Sequence, residues 1–190
     1  MINHSSYADA LILGAIVPGE PAYLAKKEFA GQLFTGFLLR RLGVLFVERF
    51  DLAGSLADIA TATTEASRDR VLVVFPEGTF TRRAGLSGFY LGGFKIAAEA
   101  GLPVIPGVLR GTRTMLRSDQ WLPRRASISV EIGEPIWPKG KDFTSVLRLR
   151  DEVRQVVLAR CGEPDINERI KPALHGSKSA REHENKVVRR

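Results

Sequence analysis

A chain of 190 residues, 44% hydrophobic and 26% charged, has the size and composition of one globular domain with a single substantial core. Its one cysteine, Cys161, excludes an intrachain disulfide framework and any multi-cysteine zinc site. More than half of the +7 net charge sits in residues 171–190, where six Lys/Arg face two Glu; the mildly basic remainder suits an anionic substrate or a membrane surface and does not demand nucleic acid.

The chemistry-bearing residues begin almost at once, with Asn3-His4-Ser5-Ser6-Tyr7-Ala8-Asp9. Ser6 followed three residues later by Asp9, ahead of Ala10-Leu11-Ile12-Leu13, is a capping-box-like helix start. Asp9 then has an ordinary task, satisfying open N–H groups and the helix dipole. A second task is open to it. Inside one helix, positions five apart sit roughly 140° around the axis and do not meet. With His4 just before the helix and Asp9 in its first turn, the carboxylate can reach the imidazole, fix its tautomer and leave the other nitrogen as a general base.

Ala22-Tyr23-Leu24-Ala25 reads as a short strand ending in Lys26-Lys27-Glu28, residues 32–42 as a helix capped by Gly43, and Val44-Leu45-Phe46-Val47 as a strand leading to Glu48-Arg49. Leu56, Ile59, Ala60 and Thr63 share a helix face. Val71-Leu72-Val73-Val74-Phe75 is a continuous, mostly β-branched run, expected to be a strand buried on both faces and ended by Pro76. A carboxylate, a glycine and a hydroxyl follow, Glu77-Gly78-Thr79, and then Arg82-Arg83. Polar groups at the carboxyl end of a buried parallel strand take the usual ligand position of an open α/β sheet.

Gly85 and Gly88 mark a loop; Gly92 to Ala100 reads as a helix closed by Gly101; Pro103 to Leu109 as an apolar strand with irregular or edge pairing because of its prolines. Ile128, Val130 and Ile132 alternate with polar residues, a half-exposed strand. Val146, Leu149, Val153 and Val156 line one face of a helix ending near Gly162, expected to pack on the sheet and not in a membrane. Residues 163–190 carry no apolar period and read as a disordered basic tail beyond a domain of residues 1–162. Strands alternating with helices predict one α/β domain with a mostly parallel central sheet flanked by helices. No apolar run approaches bilayer length and no charged-then-apolar leader opens the chain, so a cytosol-facing protein is expected.

Asn3-His4 with Asp9, Gly43-Val44-Leu45-Phe46-Val47-Glu48-Arg49, Phe75-Pro76-Glu77-Gly78-Thr79 and Val104-Ile105-Pro106 occur in one order, and together they resemble the glycerolipid acyltransferase family, the lysophosphatidate (1-acylglycerol-3-phosphate) acyltransferase-like proteins. The resemblance spans about residues 3–135. It implies that His4 takes a proton from a hydroxyl of a lysophospholipid acceptor, which attacks the thioester of acyl-CoA or acyl-acyl carrier protein, with Asp9 orienting His4. It further implies that Glu77, Gly78 and Thr79 form the acceptor-binding loop, glycine letting backbone approach the ligand. Arg49, Arg82 and Lys26 would bind substrate, and Pro106 would lie near the acyl pocket. The implied co-substrate is the thioester alone, with no other cofactor and no metal, and the protein would touch the cytoplasmic face of a membrane peripherally. One departure stands out: the family's commonest pattern has arginine directly after Glu-Gly-Thr, whereas Phe80 stands here and Arg82 two positions on.

A metal site has little support, because His175 and His183 lie in the tail and leave His4 without histidine partners; no Gly-x-Ser-x-Gly elbow supports a serine hydrolase. The rival reading is a catalytically impaired lipid- or membrane-binding module cut from a larger protein. Only Met1, Ile2 and Asn3 precede His4, too few for the strand that should carry it, so an open sheet edge and a poorly fixed His4 are expected.

Overall fold

In the computed structural model, residues 1–18, 21–26, 44–47, 64, 71–79, 82–116 and 122–166 are described. Three short strands, β1 (Ala22–Lys26), β2 (Val44–Val47) and β3 (Leu72–Val73), pair in parallel in the order β2-β1-β3, with Tyr23 opposite both Val44 and Val73. Two more, β4 (Gly107–Arg110) and β5 (Ser129–Ile132), form an antiparallel pair with Leu109 opposite Val130. The N-terminal residues lie between these sheets: the Ile2 N–H donates to the Val74 carbonyl at 3.1 Å, and the Gly107 N–H donates to the Met1 carbonyl at 2.7 Å. Ile2 forms a parallel bridge with Gly107, so pairing is parallel across this junction, whereas β4–β5 and the Val104–Ile136 bridge are antiparallel.

Helices cover both faces. Val108 packs with α2 (Gly92–Ala100) and α4 (Phe143–Cys161) in a core of Phe94, Ala98, Val146, Leu149 and Val153. Its neighbour Leu109 points the other way, joining Ile2, Tyr23, Val73 and Leu13 of α1 (Asp9–Ile16). That alternation is the period of a strand buried on both sides, and it makes the protein an α/β layered fold. A fourth helix, α3 (Thr112–Met115), follows β4 directly.

The helix punctuation follows the sequence. Gly101 ends α2 at φ 64 and Gly162 ends α4 at φ 71, the left-handed residues in which helices commonly stop. The α4 start is capped by Asp142, whose side chain accepts the Ser145 N–H at 3.0 Å. α4 packs its apolar face on the core as expected, but Val157 and not Val156 continues the buried row.

Three expectations are corrected. The Val71–Phe75 run is not buried throughout: Val73 and Val74 are buried, whereas Val71 is 46% exposed at the amino end and only Leu72 and Val73 form the ladder. Residues 163–166 belong to the fold, with the Leu86 N–H donating to the Pro164 carbonyl at 2.9 Å and the Ile166 N–H to the Leu86 carbonyl at 3.2 Å. His4 is firmly placed, because the Met1–Asn3 stretch itself threads between β3 and β4. Helices expected at residues 32–42 and 56–63, and residues 167–190, lie outside the described residues. No described helix is long and apolar enough to cross a membrane.

Candidate active site

Asn3-His4 and Pro76-Glu77 leave adjacent strand ends together, at the carboxyl edge of the parallel sheet, where open α/β sheets bind their ligands. The Gly78 N–H donates to the Phe75 carbonyl at 3.0 Å, closing a β-turn with Pro and Gly at the positions such turns favour. That turn sends the Glu77 side chain inward, where the residue is 5% exposed.

Both the ring and the main chain of His4 are engaged. Its ring Nδ1 lies 2.8 Å from Asp9 Oδ2, its N–H donates to Glu77 Oε1 at 2.8 Å, and its ring stacks on Phe75 with centroids 4.1 Å apart. Asp9 is fully buried, and its Oδ2 also accepts the Ser5 N–H at 2.6 Å and the Ser6 N–H at 2.9 Å. One oxygen thus ties the main-chain turn ahead of α1 and orients the histidine, while α1 itself starts from Ala8 without a side-chain cap. Main-chain donors fix the carboxylate before it meets the ring, so the proton on His4 is placed at Nδ1 and the base that remains is Nε2. Ser6 completes the turn: its Oγ accepts the Ala8 N–H at 3.1 Å and donates to the Leu116 carbonyl at 2.8 Å, tying this turn to the end of α3.

Glu77 accepts a second main-chain N–H, from Ser87, on Oε2 at 2.9 Å. Burial pushes its carboxyl above the ordinary value of 4.5, opposed by the two N–H bonds that favour the charged form. Gly78 has φ 71, and a Cβ there would come within 2.8 Å of the Tyr90 ring, so an internal aromatic and the turn require this glycine. Thr79 and Arg82 are exposed beyond the turn.

Lys26 ends β1 at the same edge of the sheet, but its side chain, like all of Arg49, lies outside the described residues. Pro106 does not join His4. It is buried on the amino side of β4, its carbonyl accepting the Gly133 N–H at 2.8 Å. Its neighbours Ile105 and Gly107 line a largely apolar cavity of about 480 Å³, whose walls include Ile2, Leu13, Val74 and Ile96. Ile2 and Val74 lie just before His4 and Phe75 in the chain, so the cavity adjoins the site from below, within the usual size of a small-molecule pocket. The contributions of Ser87 and of the Phe75 ring have no local signal in the sequence.

A histidine oriented by a buried aspartate at the carboxyl edge of a parallel sheet, beside an apolar cavity, makes this an α/β protein with an arrangement of the kind that can serve general-base chemistry. Residues 1–110 match the Acyltransferase family, and the chain belongs to that family. It is 26% identical to the 1-acyl-sn-glycerol-3-phosphate acyltransferase of Saccharomyces cerevisiae over 97% of this chain and 63% of that protein. It is 28% identical to the lyso-ornithine lipid O-acyltransferase of Pseudomonas aeruginosa, over 85% of this chain and 68% of that one. The crystal structure of the 1-acyl-sn-glycerophosphate acyltransferase PlsC from Thermotoga maritima matches with a TM-score of 0.65 and 26% identity, over 83% of this chain and 62% of that chain. The chain therefore spans somewhat less than two thirds of the yeast protein and of the Thermotoga chain.

Proposed function

We propose that this protein is an O-acyltransferase that moves a fatty acyl group from acyl-CoA or acyl-acyl carrier protein to a hydroxyl of a lysophospholipid such as 1-acylglycerol-3-phosphate, in phospholipid biosynthesis or remodelling. The observation that carries the reading is the 2.8 Å contact between His4 Nδ1 and Asp9 Oδ2 in a chain of the Acyltransferase family. His4 Nε2 takes the hydroxyl proton as the acceptor oxygen attacks the thioester carbonyl. The new C–O bond forms, the C–S bond breaks, and the imidazolium returns its proton to the leaving thiolate, giving an ester and a free thiol. Asp9 stabilises the imidazolium between these transfers, and the thioester's own reactivity makes a metal or a further cofactor unnecessary.

The cavity beside Ile2 and Val74 supplies apolar volume for an acyl chain. The acceptor's headgroup would meet Thr79, Arg82, Lys26 and Arg49, and the departure at Phe80 from the usual arginine suits headgroups other than a simple phosphate. Similarity to relatives named for two different acceptors supports that latitude. Peripheral seating on the cytoplasmic face of a membrane fits a substrate that resides in bilayers and the exposed Tyr7, Leu11 and Ile16 beside the site.

The test is release of free thiol from acyl-CoA by the purified protein, with 1-acylglycerol-3-phosphate and a lyso-ornithine lipid as acceptors. Acceptor-dependent thiol release with matching ester formation is expected. Lipid binding without turnover would identify a binding module instead.

A further inference from the structure

We infer that Glu77 is a positioning residue that fixes the His4 base through its main chain, and that Arg154 and Asp165 set Glu77 in turn through Ser87. The inference rests on His4 being the base of the acyl transfer proposed above. The resemblance would have Glu77 meet the acceptor, but both of its carboxylate oxygens are already engaged by main-chain donors, Oε1 by the His4 N–H at 2.8 Å and Oε2 by the Ser87 N–H at 2.9 Å. One acceptor site on each carboxylate oxygen is thus committed to main chain, and one of those two donors belongs to the residue that carries the base.

Ser87 has a second commitment on its other side. Its carbonyl accepts Arg154 Nε at 3.1 Å, and the carbonyl of Leu86 accepts Arg154 Nη2 at 3.2 Å. Arg154 is 6% exposed in α4 and lies 5.9 Å from the centre of the Phe89 ring. Its guanidinium is held by both Asp165 oxygens, with Nη1 to Oδ2 at 3.2 Å and Nη2 to Oδ1. Glu163 adds a parallel tie, accepting the Gly85 N–H at 2.7 Å while paired with both Nε and Nη2 of Arg113. One peptide segment thus joins the Arg154 fork to the Glu77 carboxylate, and Glu77 joins it to the base. Arg154, Glu163 and Asp165 all lie beyond residue 110, where the family match ends.

Catalysis by a positioned base is sensitive to small displacements; about 1 Å of misplacement costs on the order of 10²-fold. In Glu77→Gln one amide face presents N–H to a main-chain N–H, so only one of the two bonds survives. The experiment measures kcat, acceptor KM and backbone amide signals by NMR for wild type, Glu77→Gln and Asp165→Asn. Glu77→Gln should lower kcat roughly 10- to 10²-fold with acceptor KM changed less than about threefold, and the His4 and Ser87 amide protons should move upfield as their charged acceptor is lost. Asp165→Asn, at a position with a 42% exposed side chain, should move the same two amides less and lower kcat by about threefold. A Glu77→Gln protein that keeps kcat and raises acceptor KM more than tenfold would return Glu77 to the acceptor. If Glu77→Gln does not fold, Asp165→Asn decides: unmoved His4 and Ser87 amides with unchanged kcat overturn the inference. Should wild type transfer no acyl group, the proposed function fails, while the amide shifts still report separately whether Glu77 holds His4.

Discussion

Asn3 and Leu109 hold each other through both ends of one side-chain amide: Asn3 Nδ2 donates to the Leu109 carbonyl at 2.9 Å, and the Leu109 N–H donates to Asn3 Oδ1 at 2.7 Å. Both residues are buried. The pair extends the Ile2–Gly107 bridge by side chain where the main chain turns away, and so sets the point from which His4 leaves the sheet. Replacing Asn3 by Ala leaves a buried N–H and C=O without partners, at about 1–3 kcal/mol for each. Asn3→Ala should therefore lower unfolding free energy by at least about 2 kcal/mol and reduce kcat, with denaturant titration as the check. A loss below about 0.5 kcal/mol would mean that water replaces the amide and the clamp is dispensable.

His4→Ala should reduce turnover by at least ~10²-fold, the low end for removing a general base. Asp9→Asn should be as severe or worse, because the amide favours the wrong ring tautomer; a comparable change in serine proteases costs about 10⁴. Asp9 also holds the Ser5 and Ser6 N–H groups, so the variant should lose stability as well, and circular dichroism must accompany the kinetics. Near wild-type turnover in folded His4→Ala would exclude it as the base.

The His4–Asp9 relationship is legible in the sequence because it is local: five residues, a helix start and a histidine just outside it confine the geometry. The ends of α2 and α4 are legible for the same reason, since Gly101 and Gly162 act on their own turns. The rest is set by the tertiary fold. Asn3 meets Leu109 across 106 residues and Arg154 meets Ser87 across 67, separations over which a local pattern carries no register. The buried row of α4 has two permitted continuations, at i+3 and i+4 from Val153, and packing against β4 and α2 selects Val157. From sequence, Glu77 takes the ligand position after its strand, and the N–H groups that engage it instead belong to His4, 73 residues away, and Ser87, 10 residues away.

Stability should respond to pH through Glu77. Burial raises its folded-state pKa above the ordinary 4.5, so between 4.5 and that raised value the folded chain binds a proton that the unfolded chain has released. Stability from this group is therefore greatest at low pH and falls as pH rises through that window. Glu77→Gln lacks the titration. The wild-type midpoint relative to that of Glu77→Gln should decline from pH 4.5 towards neutrality in parallel denaturant titrations. A difference that is flat, or that grows with pH, would contradict a buried carboxylate with a raised pKa.

Gly78 offers a choice between two reasons for a glycine. In an acceptor-binding loop, a side chain there would block the ligand; in this structure the obstacle is internal, with φ 71 and the Tyr90 ring 2.8 Å from where a Cβ would stand. Tyr90 is anchored by its own N–H on the Pro76 carbonyl at 2.8 Å, so its ring has limited retreat. Gly78→Ala should lose about 1–2 kcal/mol from the left-handed backbone alone, and more from the contact. Shortening the aromatic in Gly78→Ala/Tyr90→Leu should recover the contact share but not the backbone share, giving a double variant more stable than the sum of the single losses. Denaturant titration of the four proteins measures that coupling. Strict additivity, together with a raised acceptor KM in the folded double variant, would instead assign this glycine to the ligand.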